Sequence, residues 1–236
     1  MAVPQVSAKL TELYEGYYAA AGAVDRKRHL AALDSLDHIE ASMGSSLGRL
    51  VDVGAGNGAL LAEIAKRGWA SDLTAVEIST AGIEAIRTRD IPGLSSVEKF
   101  DGYQIPCPDK AFDTAICVHV MEHVEHERLF LGELKRIARR LFIEVPLEGG
   151  LRGRILRDFG HINYYTPALF LNLLETSGLR PTRRQVFTSS RDYEVHCYGR
   201  VAGTARSVIR RSLLAVAGER VAPHLMTYLL AVVCET

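Results

Sequence analysis

The chain has 236 residues, 47% of them hydrophobic, enough for one sizeable α/β domain with a decoration. Lysine plus arginine and aspartate plus glutamate number 28 each, so no overall charge field recruits nucleic acid, and none is expected as a partner. No stretch approaches the roughly 20 apolar residues of a membrane-spanning helix, the start MAVPQVSAKL lacks a secretory pattern, and Cys107, Cys117, Cys197 and Cys234 form no C-x-x-C pair, so reduced thiols in a cytoplasmic protein are expected.

In chain order, residues 10–43 are charged and helical in pattern, with Leu30, Leu33, Leu36 and Ile39 along one face and Gly44-Ser-Ser as the stop. A short helix carrying Tyr14, Tyr17 and Tyr18 precedes it, so residues 1–46 are read as a helical cover. Apolar runs at 50–53, 73–76, 96–100, 112–118 and 141–145 then alternate with helical stretches at 59–67, 80–89 and 126–139. That alternation predicts a parallel sheet with helices on both faces, and the unbroken apolar run TAICV agrees, since such strands are covered on both sides.

After residue 145 comes PLEGGLRGRILRDFGHINYYTP, too long for an idle connection and expected to lie over the active site. Thr166 before Pro167 is a helix start, and that helix ends at Gly178. A strand at 182–187, an Arg-studded amphipathic helix at 204–217 and a last strand at 227–233 follow. The chain is therefore read as one domain, with a core at 47–187, a helical insertion at 188–226 and a final strand at 227–236. The stretch TARSVIRRSLLAVAGERV reads first as an ordinary amphipathic helix on the sheet and second as a peripheral contact with an anionic membrane.

The stretch LVDVGAGNG, residues 50–58, runs a strand into Gly54-x-Gly56-x-Gly58 and then into a helix. Such a loop turns backbone N–H groups and a positive helix end toward a ligand, with no Cβ to hold it off. Glu77 ends the second strand about twenty residues on, where a carboxylate accepts ribose hydroxyls. Asp52, just before the loop, would repel a pyrophosphate and attract a cationic amino-acid group.

These residues resemble the class I S-adenosylmethionine-dependent methyltransferases over about residues 50–178. The [DE]-x-G-x-G-x-G motif appears as Asp52-Val-Gly54-Ala-Gly56-Asn-Gly58, the acid ending strand two as Glu77, and a third motif as FDGYQIPCPDKAFD. The stretches VMEHV, ending in Val124, and GHINYYTP look like the small-molecule and lipid branch of that family.

The resemblance implies a Rossmann-like, doubly wound, mostly parallel seven-stranded sheet whose last strand is antiparallel and inserted near the edge. It implies S-adenosyl-L-methionine as cofactor and S-adenosyl-L-homocysteine as product. Asp52, Gly54, Ala55, Gly56, Asn57, Gly58, Glu77, Ile78, Asp101, Gly102, Val118 and His119 would hold the cofactor, with Asp101 and Gly102 at the adenine. The acceptor would be a small-molecule, sugar or lipid-type substrate, methylated on O, N or C.

His119-Val-Met-Glu122-His123 also spells H-x-x-E-H, but His119 directly follows a buried strand rather than sharing a helical face with His123, so no metal is expected. His123 and His161 are the candidate proton acceptors, and Tyr14, Tyr18, Glu122, Tyr164 and Tyr165 the candidate substrate contacts. Two rival readings stand: an NAD-dependent oxidoreductase or epimerase, which favours a longer glycine spacing and a Tyr-x-x-x-Lys pair not found here, and a non-catalytic cofactor-binding regulator. Oligomeric state is open.

Overall fold

Strands that alternate with helices and carry no polar face must be sandwiched, and that demand organises the molecule. The structure, a computed structural model, describes Glu15, residues 23–148 and residues 160–236. The expected helix with Tyr14, Tyr17 and Tyr18 and residues 149–159 of the long connection lie outside the described residues.

Seven strands form one sheet: β1 Gly48–Val53, β2 Ala70–Glu77, β3 Leu94–Lys99, β4 Phe112–Val118, β5 Ala138–Leu147, β6 Arg180–Phe187 and β7 Tyr228–Glu235. Their order is β3-β2-β1-β4-β5-β7-β6. The pairs from β3 through β5 are parallel, while β7 runs antiparallel between β5 and β6. The sequence order reverses direction at β1 and β4, and in open α/β sheets the crevice beyond the strand ends at that point is where ligands sit.

The helices are α1 Ala23–Met43, α2 Ala59–Arg67, α3 Thr80–Thr88, α4 Glu127–Ile137, α5 Pro167–Thr176, α6 Arg191–Tyr198 and α7 Arg200–Leu225, with a 3-10 turn at Met121–His123. One buried cluster joins Leu36 and Ile39 of α1 and Leu61 and Ile64 of α2 to Leu50, Ile116 and Phe142 of the sheet. On the other face, Phe130 and Leu134 of α4 and Phe170 and Leu174 of α5 pack on Val51, Cys117, Ile143 and Tyr228. No helix of the described residues is long and apolar enough to cross a membrane.

Two expectations need correction. On α1, Leu36 and Ile39 are buried as expected, but Leu30 and Leu33 are only half-buried, and Asp34, Ser35, His38 and Ser42 are buried instead. The reason is a partner on the sheet: a carboxylate inside β5 takes Ser35 and His38 as hydrogen-bond donors. Beyond β6, the helical region is longer than the single helix expected at 204–217. It holds two helices that meet at Gly199 (φ 82°), and the second kinks at Gly218 (φ 70°). A buried ion pair, rather than an apolar stripe, organises it: Glu194 is bound by Arg206 and Arg210, and the Tyr228 hydroxyl donates to the Arg210 carbonyl at 2.8 Å.

Candidate active site

The three glycines after β1 all have positive φ, at 83° for Gly54, 58° for Gly56 and 73° for Gly58. Gly54 has a second reason to be bare: a Cβ there would stand 2.3 Å from Cγ2 of Val120. Gly58 is closely packed as well, since its Cβ position lies 3.0 Å from Ile91 Cδ1, and it caps the start of α2.

Glu77, at the end of β2, is 3% exposed and fastens this loop: Gly56 N–H donates to Oε2 at 2.8 Å and Ser79 N–H to Oε1 at 2.9 Å. Burial raises its pKa against those two donors. Each oxygen keeps a second acceptor site for a hydroxyl. Asp52 is 3% exposed, and its pKa is pushed up to about 8, first by burial and then by the charge of Glu77.

Two chambers open over this loop and share Gly54 and His119. One is lined by Glu77, Ile78, Phe100, Gly102, Tyr103, Val120, His123 and Phe130. The other takes Arg28, Asp52, Ala55, Gly56, Asn57 and Val118. Asp101, expected at the adenine, is exposed, and its Oδ1 accepts the Tyr103 N–H at 2.8 Å and the Gln104 N–H at 2.7 Å. It shapes the turn that presents Gly102 and Tyr103, and lines neither chamber itself.

The segment after β4 gathers titratable side chains. His119 has φ 56°, and its N–H donates to the Glu144 carbonyl at 3.0 Å. Its ring bridges two carboxylates, with Nδ1 at 3.4 Å from Glu122 Oε1 and Nε2 at 3.4 Å from Glu144 Oε1. Burial alone would lower its pKa, but Glu122, Glu144 and Glu148 together raise it to about 9, so His119 is a cation at neutral pH.

Glu144 is fully buried, accepting from Ser35 Oγ at 2.8 Å and His38 Nδ1 at 2.6 Å. Burial would raise its pKa, but these donors and His119 hold it below the ordinary carboxylate value. The sequence reading passed over Glu144, Ser35, His38 and Glu148. The signal was present: a glutamate inside LFIEVPL, on a strand covered on both faces, demands a partner.

The 3-10 turn and the GHINYYTP segment dock on each other through backbone. Ile162 and Asn163 N–H groups donate to the Glu122 carbonyl at 2.8 and 3.0 Å, and the Asn163 side chain to the Met121 and Val124 carbonyls at 3.0 and 2.7 Å. This brings His123 and His161 edge to face, 4.8 Å between ring centres. Burial lowers the pKa of His123. Burial pulls His161 the same way, but its bond to Glu148, 2.7 Å from Nδ1 to Oε2, outweighs this and raises it.

The other substrate candidates fall differently. Tyr165 is 4% exposed, donates to the Met121 carbonyl at 2.9 Å, bonds Glu127 and stacks edge-on to Phe170, so it packs the turn instead of facing the cleft. Tyr164 is half-buried and lines neither chamber. Glu122 is 1% exposed and lines neither chamber. Tyr14 and Tyr18 lie outside the described residues.

Residues 24–183 match the model of a family described as a methyltransferase domain. The chain belongs to this methyltransferase family. No curated protein matches its sequence. Among solved structures, the methyltransferase is similar to a chain of the complex of the Haloferax volcanii Trm112 methyltransferase activator, with TM-score 0.65 and 14% identity over 100% of each chain. It is also similar to the cyclase SpnF, with TM-score 0.62 and 17% identity over 86% of this chain and 79% of that one. A third is geranyl diphosphate C-methyltransferase from Streptomyces coelicolor A3(2), solved with Mg2+, a substrate analogue and S-adenosylhomocysteine, with TM-score 0.62 and 14% identity over 85% of this chain and 74% of that one.

The methyltransferase uses S-adenosylmethionine. Its residues fit that cofactor: a loop of three positive-φ glycines bordering both chambers, a buried carboxylate beside it for a cationic group, and a second carboxylate with acceptor sites for a diol.

Proposed function

We propose that this methyltransferase moves a methyl group to an O, N or C atom of a small-molecule, sugar or lipid-type acceptor, leaving S-adenosylhomocysteine. The observation that carries the reading is the pair of chambers joined at Gly54 and His119, with His123 at the wall of one and His161 against it. In this reading the adenosine occupies the chamber of Glu77, Ile78, Gly102 and Tyr103, and the amino-acid end occupies that of Asp52, Asn57 and Val118. When bound, the cofactor supplies an electrophilic methyl on sulfur.

The chain's own contribution is to orient and to move one proton. His123 is the candidate base, since it lines the chamber and burial lowers its pKa, while the bond to Glu148 raises that of His161. His119, a cation between two carboxylates, sets the charge of the junction without being free to accept a proton. The solved relative that acts on geranyl diphosphate supports a lipid-type acceptor. Four free cysteines support a reducing, cytoplasmic setting.

Calorimetric titration with S-adenosylmethionine, S-adenosylhomocysteine and NADH in parallel tests the first step. Micromolar binding of the first two and none of NADH is expected, followed by an acceptor screen. NADH binding alone would overturn the reading in favour of an oxidoreductase.

A further inference from the structure

Among the described residues, one group of three His, Cys, Asp or Glu side chains is close enough to share a metal ion: Glu122, His123 and His161, whose ligand atoms all lie within 4.8 Å of one another. Folding alone leaves Glu122 of this group with an unmet need. Glu122 is 1% exposed, and its Oε2 has no hydrogen-bond partner among the described residues, while Oε1 faces His119. A buried carboxylate oxygen in that state marks a place for something that binds it.

The two imidazoles are oriented from behind. His123 Nδ1 lies 3.1 Å from the Gly160 carbonyl oxygen and His161 Nδ1 lies 2.7 Å from Glu148 Oε2. Both partners are acceptors, so each Nδ1 carries the hydrogen and each Nε2 the lone pair. A carbonyl or carboxylate behind the ring is how metal-bound histidines are held. The backbone bonds from Ile162 and Asn163 to the Glu122 carbonyl fix the two segments against each other.

We propose that Glu122, His123 and His161 bind a first-row divalent transition-metal ion of the Zn2+ or Mn2+ type, with open positions toward the cleft. Two imidazoles and one carboxylate suit such an ion better than Ca2+ or Mg2+, which favour oxygen. Bonds of about 2.0–2.2 Å place ligand atoms at most about 4.4 Å apart, so small side-chain rotations close the set. The metallopeptidase spacing in the sequence points at a different group: His119 is occupied between Glu122 and Glu144, and the second histidine comes from a segment 38 residues beyond His123.

Metal binding itself stands apart from the acceptor reading, but its catalytic use rests on that reading. An acceptor hydroxyl on the ion would ionise more readily, and His123 would then act as a ligand instead of a base.

The test uses full-length protein stripped with EDTA and freed of chelator, titrated with Zn2+ by calorimetry and with Co2+ by visible absorption. We expect one tight ion per chain, with Co2+ bands that vanish in His161→Ala. Zn2+ affinity should fall at least tenfold in His161→Ala and in Glu122→Gln, and stay unchanged in His196→Ala, on exposed α6. S-adenosylhomocysteine titration of the same samples reports folding and the cofactor site. Equal Zn2+ binding by wild type and His161→Ala overturns the metal site, whereas failure of both the metal-free and the Zn2+-loaded wild type to bind S-adenosylhomocysteine overturns the proposed cofactor chambers instead.

Discussion

Glu77 does two jobs with one carboxylate, and separating them is an experiment. It ties the glycine loop to β2 through the Gly56 and Ser79 N–H groups, and it borders the chamber proposed for adenosine. Glu77→Ala should weaken S-adenosylmethionine binding at least about tenfold, the value of one hydrogen bond to a charged group. Calorimetry on a variant that still unfolds cooperatively checks this, and unchanged affinity would refute the ribose role. Gly54→Ala places a Cβ 2.3 Å from Val120 Cγ2 at a φ of 83°. That strain is worth about 1–3 kcal/mol, so a lower unfolding midpoint together with lost cofactor binding is expected.

Asp52 makes a prediction about pH. Its pKa is near 8 because of burial and Glu77, and Arg28 and His119 line the same chamber. A cationic ligand end favours ionised Asp52, so binding expels its proton below pH 8. Affinity for S-adenosylhomocysteine should therefore rise by up to about tenfold per unit between pH 6 and 8. Asp52→Asn should flatten that dependence. Titrations at three pH values decide it, and a flat wild-type profile would count against the assignment.

At the scale of elements, the α1 contact with β5 is the unusual joint. Apolar burial supplies part of it: Leu36 is fully buried, and Leu36→Ala should cost about 2–5 kcal/mol in chemical denaturation. The remainder is electrostatic, with Glu144 linking Ser35, His38 and His119 from one helix and one strand end. Removing one partner of a buried ion pair strands the other, at about 3–5 kcal/mol. Glu144→Ala should therefore destabilise by that order and disturb the site as well, because the His119 ring loses one of its two supports. A loss below about 1 kcal/mol, the usual value of an exposed pair, would show that the network is solvated.

For the whole molecule, the sheet order brings the ends of β1, β2, β3 and β4 to one crevice, and most residues lining the two chambers come from those ends or the loops after them, with Arg28 added from α1 and Phe130 from α4. Placing β7 between β5 and β6 requires the chain to return after α6 and α7, and Arg210 spans this return by bonding Glu194 and the Thr227 carbonyl.

What the sequence alone determined was the alternation of strands and helices, the glycine loop, Asp52 and Glu77. These are local: a period of two or 3.6, a turn that only glycine adopts, a carboxylate at a strand end. The tertiary structure alone decided that Asp101 braces a turn, that Tyr165 packs inward, that α6 exists, and that His161 meets His123. It also set Glu144 against His38, 106 residues away. No periodicity records such pairings, because their free energy comes from satisfying polar groups after burial has brought distant segments together.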